Sequence, residues 1–169
     1  MIQGLLRSLL AANTLAAAVV PFASAATAAE NKVLGTWRIV SAVANPETDN
    51  ILPYGPKPQG MLVFTPDMHF IEMLHDPRVP RFNSEIRGEG TAEENAAAMA
   101  GAIGFYGTYT VDENGEFSGN TVEGSTFPNW IGSVRTTEQL RLTVDGDRMH
   151  ETFTRPGGLR IVIEWERVR

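Results

Sequence analysis

The chain has 169 residues, 43% of them hydrophobic, which is enough to build the core of one ordinary domain. Its formal net charge at pH 7 is −6, which argues against nucleic acid and anionic membrane surfaces as partners. The chain has no cysteine, so disulfides, thiol nucleophiles and thiolate metal sites are excluded.

The first 28 residues have the pattern of a secretory signal peptide. One basic residue, Arg7, precedes an apolar run at residues 9–20, and small residues follow that run. The pattern predicts cleavage after Ala25 or Ala28. The apolar run is shorter than the roughly 20 residues that span a bilayer core, so a membrane anchor is disfavoured. We therefore expect a periplasmic or secreted protein that is not stably inserted in a membrane once the signal is cleaved.

Strand-like segments follow this leader at short spacing. They are Gly35 to Ala42, Gly60 to Thr65, Met68 to His75, Phe105 to Asp112, Glu116 to Glu123, Val134 to Val144, Arg148 to Thr154 and Leu159 to Val168. Turn-forming residues separate several of them, for example the Asp-Gly-Asp sequence at residues 145–147. Consecutive hairpins of this kind predict an antiparallel meander.

About eight such strands either close into a barrel or fold into a sandwich. Closure removes the exposed strand edges that an exported protein would otherwise have to protect. We therefore predict an all-β domain over residues 33–169, a closed antiparallel up-and-down β-barrel of about eight strands with one short α-helix. A barrel of eight strands has room for one small ligand.

One segment departs from the strand pattern. Thr91-Ala-Glu-Glu94 has the spacing of a helix capping box, and an alanine-rich run follows it as far as Ile103. Apolar residues at helical spacing form one narrow stripe that includes Met99. The pattern predicts a helix from Thr91 to Ile103, lying across one end or side of the barrel with Met99 and Ile103 facing inward.

Patterns typical of catalytic or metal sites are weak or missing. His69 and His75 share a strand face but lie roughly 20 Å apart, too far for one metal ion, and His150 has no second histidine four residues on. There is no Gly-x-Ser-x-Gly motif, and carboxylates such as Glu123 and Glu138 lie in strands, where a charge usually faces solvent. The sequence predicts no metal or other cofactor and leaves open whether any reaction is catalysed.

Aromatic residues are the best candidates for a ligand site. Tyr54 lies in a loop that prolines stiffen, and Tyr106 and Tyr109 have opposite parity in one strand. Aromatic side chains at a barrel end are typical of a ligand mouth, although they could equally fill the barrel as core. The predicted ligand-binding residues are Tyr54, Tyr106, Tyr109, Phe127, Asn129 and Trp130.

The stretch Ser125-Thr-Phe-Pro-Asn-Trp-Ile-Gly132 interrupts the strand pattern. Its proline cannot donate a ladder hydrogen bond, so regular pairing should end there. We interpret the stretch as the rim of the open barrel end, with Phe127 and Trp130 as apolar walls. Asn129 could turn the chain or offer its amide to a ligand.

The first and last strands predict a long-range contact. In the last strand Arg167 alternates with apolar residues and so points inward, where a guanidinium needs a partner. Trp37, in the Gly35-Thr36-Trp37 sequence of the first strand, offers an indole face, and these strands become neighbours when a meander closes. We expect Gly35, Trp37 and Arg167 to be structural residues at the closed end of the barrel.

Gly35-Thr36-Trp37 with an arginine in the last strand resembles the lipocalin arrangement. Five further motifs, in order, resemble the lipocalin-like domain family of small bacterial and fungal single-domain proteins. They occupy residues 53–60, 64–69, 90–94, 106–112 and 127–132. The resemblance covers about residues 33–169 and implies a calycin-type barrel but no common ligand or reaction. Met68 and Asn120-Thr121 depart from the pattern, because glycine and histidines often stand there, so an acid/base role of those histidines is not carried over.

Three functions remain open at this point. The first is an exported barrel that binds a small apolar or amphipathic molecule, which an apolar cavity without convergent polar residues would favour. The second is an enzyme of isomerase or cyclase type using the same cavity, which a buried carboxylate beside a tyrosine would favour. The third is a structural or stress-related barrel without ligand, which a filled interior would favour.

Overall fold

The computed structural model describes residues 29–155 and 157–169, so the predicted signal peptide lies outside the described residues. The strands are β1 (Gly35–Ala44), β2 (Gln59–Phe64), β3 (His69–His75), β4 (Ala102–Val111), β5 (Phe117–Ser125), β6 (Val134–Thr136), β7 (Leu140–Asp145), β8 (Arg148–Thr154) and β9 (Arg160–Arg167). One α-helix, α1, covers Ala92–Ala100, and a 3₁₀ turn covers Pro128–Trp130. Within the described ranges no helix combines the length and apolar character needed to cross a membrane.

All nine strands form one antiparallel sheet in the order β6-β5-β4-β3-β2-β1-β9-β8-β7. The first and last strands of the chain, β1 and β9, are paired, as the meander predicted. The sheet curls until β5 and β6 approach β7, although no ladder joins β6 to β7 in the described part of the chain. The predicted all-β antiparallel barrel is confirmed, and it is nearly closed.

The strand count is nine rather than about eight because the predicted segment Val134 to Val144 is two strands. The Gln139 N–H donates to the carbonyl of Thr136 at 3.0 Å, and the Thr136 N–H donates to the side-chain oxygen of Gln139 at 3.0 Å. These two bonds turn the chain between β6 and β7. As a result β6 pairs with β5, whereas β7 pairs with β8.

Strand alternation builds the core inside the barrel. In β3 the residues Phe70, Glu72 and Leu74 are buried, while Ile71 and Met73 between them are exposed on the outer face. The same period of two is found in the other strands, with interruptions at the register shifts of β1 and β5. The largest fully buried side chains are Trp37, Trp165, Tyr109, Leu62, Leu74 and Met149.

The predicted contact between Trp37 and Arg167 closes one end of the barrel. The guanidinium carbon of Arg167 lies 4.0 Å from the centroid of the Trp37 ring, so the charge rests on the indole face. Its nitrogens donate to the carbonyls of Leu34 at 2.5 Å and Lys32 at 2.9 Å. Gly35 leaves room for this arrangement, because a Cβ there would lie 3.1 Å from a guanidinium nitrogen and φ is +117°.

Replacing Arg167 with alanine is expected to lower the free energy of unfolding by roughly 1 to 3 kcal/mol, through lost stacking and unpaired carbonyls. Urea denaturation followed by tryptophan fluorescence measures the change. Arg169→Ala is the matched control, because Arg169 is exposed and, among the described residues, its side chain pairs with Asp147 alone. Equal stabilities of the two variants would contradict the structural role of Arg167.

Helix α1 has the predicted capping box, but it does not turn Met99 toward the barrel as predicted. The Glu94 N–H donates to Thr91 Oγ1 at 3.2 Å, and the Thr91 N–H donates to the Glu94 carboxylate at 2.8 Å. The helix ends at Ala100, so Ile103 is buried from β4 instead. Met99 is 49% exposed, and the prediction that it faces inward was wrong. Without Ile103 the stripe has Met99 as its one large side chain among small alanines, so it offers little apolar area to bury.

Candidate functional site

The segment Ser125 to Gly132 forms one rim of the barrel end opposite Arg167. The Phe127 N–H donates to the Ser125 hydroxyl at 3.0 Å, and the 3₁₀ turn Pro128–Trp130 follows. Proline stands at the start of this turn, where a missing N–H costs nothing. The prediction that regular strand pairing ends at the proline is confirmed, since β5 stops at Ser125.

Aromatic rings at this open end pack around Trp130. The Trp130 ring centroid lies 5.2 Å from that of Phe105, 5.9 Å from that of Phe127 and 6.2 Å from that of Phe153, each pair being edge-to-face. Such geometry is favourable beyond the area it buries. The four rings come from β4, from the rim and from β8, so they tie the rim to both sides of the barrel.

A cavity of about 600 Å³ opens beside these rings. Phe127, Trp130 and Phe153 give it apolar walls, and Asn129 also lines it. Its volume falls within the range of roughly 300–1,000 Å³ that is typical of small-molecule sites. Three of the predicted site residues, those of the rim, therefore line one cavity.

The three predicted tyrosines lie in different places. Tyr54 is 7% exposed and lines a small inner chamber below the rim. Tyr109 is at the closed end, where its hydroxyl donates to the Thr65 carbonyl at 2.8 Å and accepts from Asn31 at 2.7 Å. Tyr106 has the opposite parity and is 52% exposed on the outer face, over Gly124. Strand position thus places Tyr109 away from the open end, and parity places Tyr106 on the outside of the barrel, so we leave both out of the candidate site.

The inner chamber contains charged groups that the sequence analysis did not predict. Glu72 on β3 is 5% exposed, Glu151 on β8 is 6% exposed and Arg135 on β6 is 6% exposed. All three line the chamber with Tyr54 and Arg155. The chamber itself measures about 20 Å³, about the room that one water molecule needs. This chamber is therefore filled by side chains apart from room for about one water molecule, whereas the cavity at the rim is open.

Burial changes the ionisation of both buried carboxyl groups. It raises the pKa of Glu151 to about 7, although Trp165 Nε1 donates to its carboxylate at 2.9 Å and Arg135 and His150 oppose the rise. Burial, reinforced by the charge of Glu151, raises the pKa of Glu72 well above its usual value against the opposing effect of Arg135. Because the two groups interact, they titrate as a pair. At neutral pH this pair is only partly ionised.

Tyr54 lies beside the two carboxyl groups. Burial, followed by the charge of Glu72, raises the pKa of the Tyr54 hydroxyl above its usual value, and Arg155 opposes this effect. Tyr54 is therefore a neutral hydroxyl at physiological pH. Tyr54 and Glu72 therefore provide the arrangement that would favour an enzyme, a tyrosine beside a buried carboxyl group inside the barrel.

Three aromatic rings enclose the guanidinium of Arg135. Its carbon lies 5.1 Å from the ring centroid of Phe105 and 4.7 Å from those of Trp130 and Phe153. We call these three rings the aromatic cage. Ring faces stabilise the positive charge, but they accept few hydrogen bonds from the five N–H donors of the guanidinium. Among the described residues, no hydrogen bond and no ion pair within 4.0 Å involves this guanidinium.

Further polar atoms near the open end have no hydrogen-bond partner among the described residues. Arg155 lies over the Trp130 ring at 5.2 Å, and its Nε is buried without a hydrogen bond in the described part of the chain. The same holds for Oγ of Ser133, which lines the rim cavity, and for Oδ1 of Asn120, which lies farther from the open end, opposite Tyr109 in β4. Buried polar atoms in native proteins nearly always have partners. The open end therefore combines apolar walls and unused hydrogen-bonding capacity with two guanidinium groups, those of Arg135 and Arg155, and one carboxylate, that of Glu138.

A signal for the buried acids was present in the sequence. Glu72 shares its parity with Phe70 and Leu74 in β3, and Glu151 shares its parity with Met149 in β8. The assumption that strand carboxylates face solvent hid this pattern. Arg135 had no such signal, because the predicted strand ran on through the turn that separates β6 from β7.

No group of three or more histidine, aspartate or glutamate side chains in the described ranges is placed to hold a metal ion. The groups present are hydrogen-bond donors, a neutral phenol, and two buried carboxyl groups with raised pKa values, of which that of Glu151 is about 7. They suit the binding of a polar head group, or proton transfer to and from one.

A family model described as a lipocalin-like domain matches residues 34–164. Among solved structures, a redesigned beta barrel matches 86% of this chain and 100% of its own, with 15% sequence identity and a TM-score of 0.44. No curated protein matches the chain.

Proposed function

Because the chain belongs to the lipocalin-like domain family, we propose that its barrel binds a small amphipathic molecule at the open end. The cavity of about 600 Å³ beside the rim supports this proposal most directly. Phe127, Trp130 and Phe153 would hold the apolar part of the molecule, while Asn129 and the nearby guanidinium groups would hold its polar part. The inner chamber is too small for a ligand, which supports a binding site at the mouth rather than deep in the barrel.

Tryptophan fluorescence is expected to report this binding. Titration with saturated fatty acids of 6 to 14 carbons should quench wild-type emission, because Trp130 borders the cavity. Trp37 and Trp165 are fully buried and supply a constant background. Trp130→Phe should remove most of the quench and weaken binding about tenfold, as expected for a loss of about 1.4 kcal/mol of contact.

Tyr106→Phe is the control for this titration, because Tyr106 lies on the outer face and should leave both affinity and quench unchanged. Binding without any effect of Trp130→Phe would remove Trp130 from the site. If no probe binds at any chain length, the filled barrel without ligand is the better account, and the binding proposal fails.

Export belongs to the same proposal. The signal pattern of residues 1–28 supports delivery to the periplasm or the medium. Mass spectrometry of protein recovered from those fractions of its host should find a chain that begins after Ala25 or Ala28. An intact N-terminus on protein confined to the cytoplasm would contradict export.

A cavity enzyme of isomerase or cyclase type is the second candidate. The specific observation in its favour is the pair of buried carboxyl groups, Glu72 and Glu151, beside Tyr54, since a carboxyl group with a pKa of about 7 can exchange protons at physiological pH. Small molecules extracted from protein purified from its host can be incubated with fresh wild type and with Glu151→Gln. Conversion by wild type alone supports the enzyme, whereas unchanged recovery with both supports binding.

A further inference from the structure

We propose that the molecule held at the open end is an aliphatic carboxylate whose head group pairs with the guanidinium of Arg135 in the aromatic cage. This inference rests on the proposed binding function and deepens it, since it names the chemical class of the ligand. It also names the residue that selects that class.

The surroundings of Arg135 carry the inference. A buried guanidinium has five N–H donors, and leaving such donors without acceptors costs free energy. The aromatic cage compensates the charge through ring faces, yet no acceptor in the described part of the chain reaches these donors. Arg135 also lines the cavity of about 600 Å³, so a molecule in that cavity can supply the missing acceptors.

A carboxylate fits this position better than other head groups. Its two oxygens match the planar fork of a guanidinium, which gives two parallel hydrogen bonds. Arg155, whose Nε is also buried without a partner among the described residues, lies over the same Trp130 ring and adds a second positive charge. The aromatic walls beyond the cage suit an aliphatic chain.

The charges around Arg135 favour a ligand with one negative charge over a ligand with two. The charged and titratable groups around Arg135 are Arg155, Glu72, Glu151 and Tyr54 in the chamber and Glu138 in the rim cavity, and His150 acts on Glu151 from the neighbouring position of β8. When the two carboxyl groups are protonated, the guanidiniums lack anionic partners and a carboxylate ligand can supply one. When Glu151 ionises, it competes with the ligand for the field of Arg135. Ligand binding therefore takes up a proton, and it weakens as the pH rises through 7.

The test compares head groups on one chain length. Mature wild-type protein is titrated at pH 6 with decanoate, decanol, decylamine and decyl sulfate, with calorimetry as the readout. Decanoate should bind about tenfold or more tightly than decanol, as charge-assisted hydrogen bonds predict. Arg135→Met, which keeps an apolar side chain of similar length in the cage, should abolish this preference while decanol still binds. Arg148→Met, at an exposed position of β8 far from the rim, should change nothing.

A pH series supplies a second readout. The decanoate affinity of wild type should fall about tenfold between pH 6 and pH 9, equivalent to one pKa unit of coupling, and Glu151→Gln should remove this dependence. If Arg135→Met does not fold, Arg135→Lys serves instead, since it keeps the charge but loses the fork and should lose most of the preference.

The outcomes separate the two proposals. Equal affinity for decanoate and decanol, or a preference for decylamine, overturns the carboxylate assignment and leaves the binding function standing. Decyl sulfate binding as tightly as decanoate also overturns it, in favour of oxyanions in general. Failure of all four probes at every chain length from 6 to 14 carbons overturns the binding function itself.

Discussion

The free energy of unfolding is expected to fall by about 3 kcal/mol between pH 4.5 and pH 8 because Glu151 must ionise inside the barrel. Burial raises the pKa of this carboxyl group from its usual 4.5 to about 7, so the folded state holds the proton more tightly than the unfolded chain. The contribution to stability is complete below pH 4.5 and is lost as the pH rises through 7. Glu72, whose pKa is also raised, acts in the same direction.

Denaturation with urea over this pH range measures the effect as a difference between wild type and Glu151→Gln. Glutamine keeps an oxygen for the Trp165 N–H but cannot ionise, so the variant should be the more stable protein above pH 7. Glu123→Gln, at an exposed position of β5, corrects for the loss of one surface charge. Parallel pH profiles of wild type and Glu151→Gln would show that Glu151 does not titrate in the folded barrel.

Replacing Trp37 with alanine is expected to lower the free energy of unfolding by about 3 to 5 kcal/mol. The side chain is fully buried, lies next to Leu62 of β2, and supports the guanidinium of Arg167. Its Nε1 also donates to the carbonyl of Val33 at 2.7 Å. Alanine would leave a cavity, an unpaired carbonyl and an unsupported guanidinium in one place.

Trp130→Ala is the comparison for this experiment, since it removes the same side chain from a half-buried position at the mouth. Urea denaturation should find Trp130→Ala the milder change by at least about 1 kcal/mol. Trp37→Phe, which keeps most of the volume but not the N–H, should fall between the two. If Trp37→Ala costs no more than Trp130→Ala, the closed end does not anchor the barrel.

The features that the sequence predicted are those that depend on local patterns. Alternation within each strand, the capping box at Thr91 and the proline of the rim each involve residues a few positions apart, and all appear in the structure. The contact between Trp37 and Arg167 is long-range. Closure of a meander makes the terminal strands neighbours, so the parity of the two residues was sufficient to predict their contact.

The chemistry of the interior could not be predicted in the same way. Glu72 and Glu151 are buried because each has compensating partners on other strands, Arg135 for both and Trp165 for Glu151. Those partners come together only when the barrel is formed. Likewise, the distance of Tyr109 from the mouth depends on where β4 begins, which the predicted helix had placed too late in the chain.

The gap between β6 and β7 has a consequence for amide hydrogen exchange. Strands with unpaired edges open locally at a lower free energy than strands paired on both sides, so their amides exchange faster. β6 has only three residues and one partner strand, and Arg135 is its central residue. Exchange should therefore be fastest in β6 and slowest in β1, β2 and β9. A molecule that binds Arg135 is expected to slow amide exchange first in β6. Local opening of this short strand would then govern the rates at which a ligand associates with the open end and dissociates from it.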